Sequence, residues 1–140
     1  VAEDDVTLPA FLSRAASRGF AWGRHDCMMF AADWAACLGR DPAQGWRGSY
    51  ADEAGAAAIL ERAGGSRAHM QATLGPCGWW PISAGGVRAG DIVLAHPPQQ
   101  LETAGIATNR DRVAFVTRRG LVVWRARIVA AWRHSGLTYA

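Results

Sequence analysis

A change of hydrophobic period near the middle of the chain sets the fold class. Up to about residue 74, apolar residues recur at three- and four-residue spacing, which describes amphipathic helices. Leu8, Phe11, Leu12 and Ala15 share one face of a predicted helix over 8–17, and Gly19 ends it. A second helix is predicted from about Asp26, with Cys27, Phe30, Ala31, Trp34 and Leu38 on its apolar stripe and Gly39 as its stop. A loop over 40–50 contains Pro42 and Trp46; a third helix is expected over 52–63, ended by Gly64-Gly65, and a weaker fourth over 67–74. From residue 91 the pattern becomes short runs of Val, Ile and aromatics bounded by turn residues, predicting strands at 91–95, 104–108, 112–117, 120–125 and 128–132. Arg118-Arg119-Gly120 reads as a tight hairpin, and Pro97-Pro98-Gln99-Gln100 opens the longest gap between strands. Helices first and an antiparallel meander second imply an α+β fold with segregated layers. No repeat or linker divides the chain, so residues 1–140 are read as one domain.

Composition narrows the function. Half the residues are apolar and 19% are charged, a globular balance with enough apolar surface for one core. Apolar runs are short, so no membrane span is expected. The acidic start Val1-Ala2-Glu3-Asp4-Asp5 lacks the plan of a signal peptide, which points to synthesis in the cytoplasm. All fifteen basic residues are arginines, and the net charge is +3. They are densest late in the chain, at Arg110, Arg112, Arg118, Arg119, Arg125, Arg127 and Arg133. No nucleic-acid motif accompanies them and Asp111 lies among them, so a solvated strand face or a protein interface is expected. Three cysteines with no C-x-x-C pair argue against a disulfide framework and a structural zinc site.

One segment carries chemistry: Phe20-Ala21-Trp22-Gly23-Arg24-His25-Asp26-Cys27. It sets a thiol on the first turn of a predicted helix, where unpaired backbone N–H groups favour thiolate. A cysteine so placed is a candidate nucleophile if the fold brings it a base and an orienting group. It also belongs to the apolar stripe of its helix, and a buried, inert thiol is the competing reading. A metal site at His25, Asp26 and Cys27 would need partners from elsewhere, and neither metal nor cofactor is expected.

The aromatic-x-Trp-Gly-x-x-Asp-Cys pattern, followed by a helix and the strand Gly90-Asp91-Ile92-Val93-Leu94, resembles the NlpC/P60 cysteine peptidases, which have a papain-type fold. The resemblance implies N-terminal helices packed on an antiparallel sheet or half-barrel, with Cys27 in the place of the nucleophile that attacks cell-wall peptides. Trp-Gly-Arg-His-Asp-Cys, then Phe30-Ala31-Ala32-Asp33-Trp34 and Gly39-Arg40-Asp41-Pro42, is similar to small NlpC/P60-like proteins encoded among phage and prophage tail genes. That likeness implies a virion component of the tail tip or baseplate, with other tail proteins as partners and peptidoglycan as a possible substrate.

The departures matter as much as the match. Active relatives carry His-Val-Gly-Ile-Tyr on the next strand; the equivalent here is Thr103-Ala104-Gly105-Ile106-Ala107, which puts Thr103 in the place of the base. A threonine hydroxyl takes up no proton near neutral pH. On the same alignment the orienting residue falls near Phe115, which cannot orient an imidazole. His96, at the end of the Gly-Asp strand, is the weak candidate for a substitute base. His25 is expected to point away from Cys27, and His69 and His134 to lie on the surface. The leading expectation is therefore a structural tail component with a degenerate peptidase fold; the alternative is an active cell-wall peptidase using Cys27 and a non-standard base. Asp33 is expected to pair with Arg24 or Arg40. Trp79-Trp80-Pro81 is read as a loop whose rings either cap the core or anchor a partner.

Overall fold

The computed structural model describes residues 7–137. Among them are four α-helices, α1 (Leu8–Ala16), α2 (Cys27–Leu38), α3 (Glu53–Ala63) and α4 (Ser66–Leu74). Six strands follow: β1 (Trp79–Ile82), β2 (Ile92–His96), β3 (Thr103–Ala107), β4 (Arg112–Thr117), β5 (Gly120–Arg125) and β6 (Arg127–His134). The α+β class and the helices-then-strands order stand as expected. Capping explains the helix starts: Thr7, Asp26 and Asp52 accept hydrogen bonds from Ala10, Met29 and Gly55 N–H respectively. Gly64, in left-handed conformation, stops α3 and lets α4 begin two residues on.

The sheet is antiparallel, in the order β1-β6-β2-β3-β4-β5. Strands β2 to β5 form the expected meander, and Arg118-Arg119 is the two-residue turn between Thr117 and Gly120. The last strand departs from that plan. β6 crosses back to pair with β2, with a register shift between Leu94 and Ala95, and also pairs with β1. The segment expected as a loop, Trp79-Trp80-Pro81, is thus an edge strand. Pro81 lacks an N–H and is tolerated there, where a central strand would lose a ladder bond. Its two rings part company: Trp79 is buried and Trp80 is 45% exposed.

Period-two alternation splits the sheet residues between two cores. Ile92, Leu94, Ala104, Ile106, Ala114, Ala130 and Trp132 face the helices, meeting Phe11, Phe30, Trp34 and Met70. Val93, Ala95, Ala107, Val113, Phe115 and Ala131 fill the opposite face with Val87, and Val122, Trp124 and Ile128 close over them. A third cluster, Met29, Ala32, Ala43, Tyr50, Ala56 and Ile59, packs the 40–50 loop between α2 and α3.

The Gly-Asp strand start is a structural lock. Asp91 is fully buried, and Arg133 on β6 donates to it from Nε at 3.0 Å and Nη2 at 2.7 Å. Arg133 also donates to the Gly86 carbonyl, and Arg88 N–H donates to Asp91. One residue earlier, the Gly90 carbonyl accepts from Trp34 Nε1 at 2.8 Å, tying α2 to the sheet. Removing one partner of a buried pair strands the other charge, whereas an exposed pair contributes little. Arg133→Ala is expected to cost about 3–5 kcal/mol in urea unfolding. Arg125→Ala, which breaks the exposed 3.8 Å pair with Asp111, should cost under about 1 kcal/mol.

Candidate functional site

The Trp-Gly-x-x-Asp-Cys segment folds as a tight turn closed by its own backbone. Ala21 and His25 exchange hydrogen bonds, N–H to carbonyl, at 3.0 and 2.8 Å. Gly23 sits at φ +80°, and a Cβ there would collide with the Tyr50 carbonyl oxygen. The turn delivers Asp26, fully buried, to the N-cap of α2. One carboxylate oxygen accepts from Met29 N–H at 2.8 Å; the other accepts from Gly23 N–H at 2.8 Å and from Tyr50 O–H at 2.6 Å. Three separate pieces of chain, the turn, the helix and the end of the 40–50 loop, are joined at one side chain.

Cys27 is therefore the first residue of α2 and half-buried. The backbone N–H groups of Met28, Cys27 and Ala104 face its sulfur and favour thiolate. Two opposing effects are larger. Desolvation of the sulfur comes first and the adjacent Asp26 carboxylate second, and the thiol is pushed up to about 12. Side-chain exposure and sulfur desolvation differ here because the sulfur, and not the whole residue, is packed against β3. The same causes, burial first and Asp26 next, raise the Tyr50 phenol.

Cys27 lies between two hollows. The inner one, about 60 Å³, is mainly apolar and lies among α2, α3, α4 and the start of β3, with Trp46, His69, Met70 and Thr103 in its wall. The outer cleft, about 310 Å³, opens to the surface and is walled by Phe20, Trp22, Thr103, Phe115, Arg118 and Trp124. Phe20 meets Trp22 edge-on with centroids 4.9 Å apart, and Arg118 lies over the Trp22 ring at 5.6 Å while pairing with Glu53 at 3.0 Å. Thr103 and Phe115 thus share a cleft with Cys27, and no histidine lines it.

The four histidines are held elsewhere. His25 is buried, and its Nε2 donates to the Ala15 carbonyl at 3.0 Å; its pKa is lowered, first by burial and then by Arg18. His96 ends β2 half-buried, with Nδ1 donating to the Gln100 carbonyl at 3.3 Å and Nε2 3.8 Å from Glu102; it lines neither hollow. His69, expected on the surface, is only 7% exposed, stands edge-on to Trp46 at 4.7 Å and lines the inner cavity. Burial lowers its pKa as well. His134 is half-buried against Trp79, and its Nδ1 accepts from Gly136 N–H at 2.8 Å. Asp33 pairs with Arg47 at 2.7 Å and Arg18 at 3.5 Å, not with Arg24 or Arg40. Those partners come from a loop and a helix end whose approach to α2 no local spacing encodes. Tyr50 escaped the sequence reading and His69 was placed on the surface, because each is a lone polar aromatic with no motif around it.

Among the described residues no group of three metal-ligating side chains lies close enough to hold an ion. No helix among them is long and apolar enough to cross a membrane. The arrangement is an α+β domain with a cysteine at the N-terminus of α2, in a cleft that Thr103 of β3 also lines. A sequence model described as a domain of unknown function, DUF6950, matches residues 2–134, and the chain belongs to that family. No curated protein and no solved structure matches it.

Asp26→Ala removes an N-cap and leaves the buried Gly23 N–H and Tyr50 O–H without an acceptor. It is expected to cost more than about 2 kcal/mol in denaturant unfolding, and Asp26→Asn less. Alkaline pH provides a second check. Below the ordinary thiol value of 9.0, Cys27 is protonated in both folded and unfolded chains; between there and about 12 only the unfolded chain releases the proton. Stability is therefore lost as pH rises through that window, with Tyr50 acting in the same direction. The slope of unfolding free energy against pH between 9 and 12 should be shallower in Cys27→Ala.

Proposed function

We propose that the chain is a structural component of a phage tail tip or baseplate, built on a degenerate NlpC/P60-like, papain-type fold and retained for assembly contacts. One observation carries the inactive half of this reading: Cys27 shares its outer cleft with Thr103 and Phe115, and no histidine lines that cleft. A thiol attacks as thiolate, and one pushed up to about 12 is almost wholly protonated at neutral pH. Among the described residues no side-chain hydrogen bond joins a histidine to Cys27, and the base and orienter of a cysteine peptidase act as a unit with the nucleophile. The tail placement rests on the resemblance of the Phe20 to Tyr50 segment and the Gly-Asp strand to phage-encoded proteins. An assembly role suits the exposed Trp80 and the arginines of the late strands.

A second reading has one observation in its favour. His69 lines the inner cavity that also reaches Cys27, so a working hydrolase would recruit His69 or His96 after rearrangement. Alkylation kinetics followed on the Cys27 peptide by mass spectrometry separate the two, since Cys37 and Cys77 are also free. The expected profile is slow at pH 6–8, rises only in strong alkali and is unchanged by His69→Ala or His96→Ala. Rapid reaction at pH 6 that either substitution abolishes would establish an activated nucleophile. For the assembly role, a phage carrying Cys27→Ala is expected to form infectious particles, while loss of the whole chain stops tail completion. Intact but non-infectious particles from Cys27→Ala would overturn it.

A further inference from the structure

Away from Cys27, a second cleft of about 550 Å³ lies between the end of α1, the outer face of α2 and the 40–47 loop. Four arginines line it, Arg14, Arg18, Arg24 and Arg47, against two carboxylates, Asp33 and Asp41. The carboxylates are already taken. Arg47 donates to Asp33 from Nη1 at 2.7 Å and to Asp41 from Nε at 2.9 Å and Nη2 at 3.0 Å. Those bonds from Arg47 hold the Asp41 carboxyl below the usual carboxylate range. Arg18 adds a 3.5 Å contact to Asp33 and donates to the Arg24 carbonyl at 3.3 Å. Arg14 and Arg24 have no carboxylate partner among the described residues and stand exposed at the rim.

We propose that this cleft binds a doubly charged phosphate group, held by Arg14 and Arg24. The excess of two positive charges matches a dianion. Guanidinium groups present planar, multidentate donors suited to phosphate oxygens. Arg47 and Arg18 together offset Asp33 and Asp41 at the floor, which leaves the charges of Arg14 and Arg24 for the ligand. The free ion and a phosphate monoester share this chemistry, and the cleft is open enough to admit either.

Calorimetric titration with inorganic phosphate and with glycerol phosphate, at constant ionic strength set by chloride, tests the site. Saturable binding of either is expected, lost by at least about tenfold in the Arg14→Ala/Arg24→Ala double variant. It should be unchanged in Arg118→Ala/Arg119→Ala, which removes the same charge elsewhere. Binding of both ligands assigns a monoester-compatible site, and binding of inorganic phosphate alone assigns the free ion. Equal loss in the two double variants, or heats no larger than those of added chloride, overturns the proposal. Cys37 provides an independent readout, because its exposed thiol lies in the same cleft. Phosphate should slow its alkylation in the wild-type chain and leave it unaffected in Arg14→Ala/Arg24→Ala. Slowing of equal size in both chains also overturns it.

Discussion

The three hydrogen bonds that converge on the Asp26 carboxylate organise the helical half of this domain. Without that acceptor, the Gly23 turn, the first turn of α2 and the end of the 40–50 loop would each bring a buried donor with nothing to receive it. Buried donors left unpaired are more costly than the same bonds are stabilising when made, so the hub specifies the arrangement by penalising its alternatives. With α2 fixed at its N-terminus, Phe30 and Trp34 are set on the sheet, and Trp34 reaches the Gly90 carbonyl. Asp91 and Arg133 repeat the device on the sheet side, joining the first residues before β2 to β6 across 42 positions of sequence.

The same hub controls the chemistry of Cys27. The helix N-terminus offers its sulfur two backbone donors, Cys27 and Met28, and β3 adds Ala104, the environment in which reactive thiols are found. Here the cap that makes the helix start is itself a carboxylate next to the sulfur, and packing against β3 removes the water that would stabilise thiolate. Burial and the Asp26 charge outweigh the backbone donors. The outer cleft that Cys27 lines holds Thr103 and Phe115 and no histidine. Position at a helix end is thus insufficient to favour thiolate where burial and an adjacent carboxylate oppose it.

Much of the site was visible in the linear pattern. The turn before a helix, the helix start near Asp26, Cys27 on its first turn and the Gly-Asp strand start are all local. Each depends on backbone conformations and donors within a few residues. Strands β2 to β5 were legible for the same reason, since alternation and turn residues mark consecutive hairpins. Less legible were β1, whose Trp-Trp-Pro run reads as loop, and the return of β6 to β2. An edge strand exists only because another strand offers it a ladder, and β6 offers it from more than forty residues away.

The sequence by itself determined the α+β class, the helix starts and stops, and the placement of a thiol at a helix N-terminus. These follow from period, capping and turn chemistry, which act over neighbouring residues. Only the tertiary structure decided that Tyr50 completes the Asp26 hub, that Arg133 neutralises Asp91, that Arg47 and not Arg24 or Arg40 holds Asp33, and that His69 is buried. Those outcomes depend on which distant side chains share one low-dielectric volume. That is fixed by how helices, loop and sheet pack, and no local spacing records it.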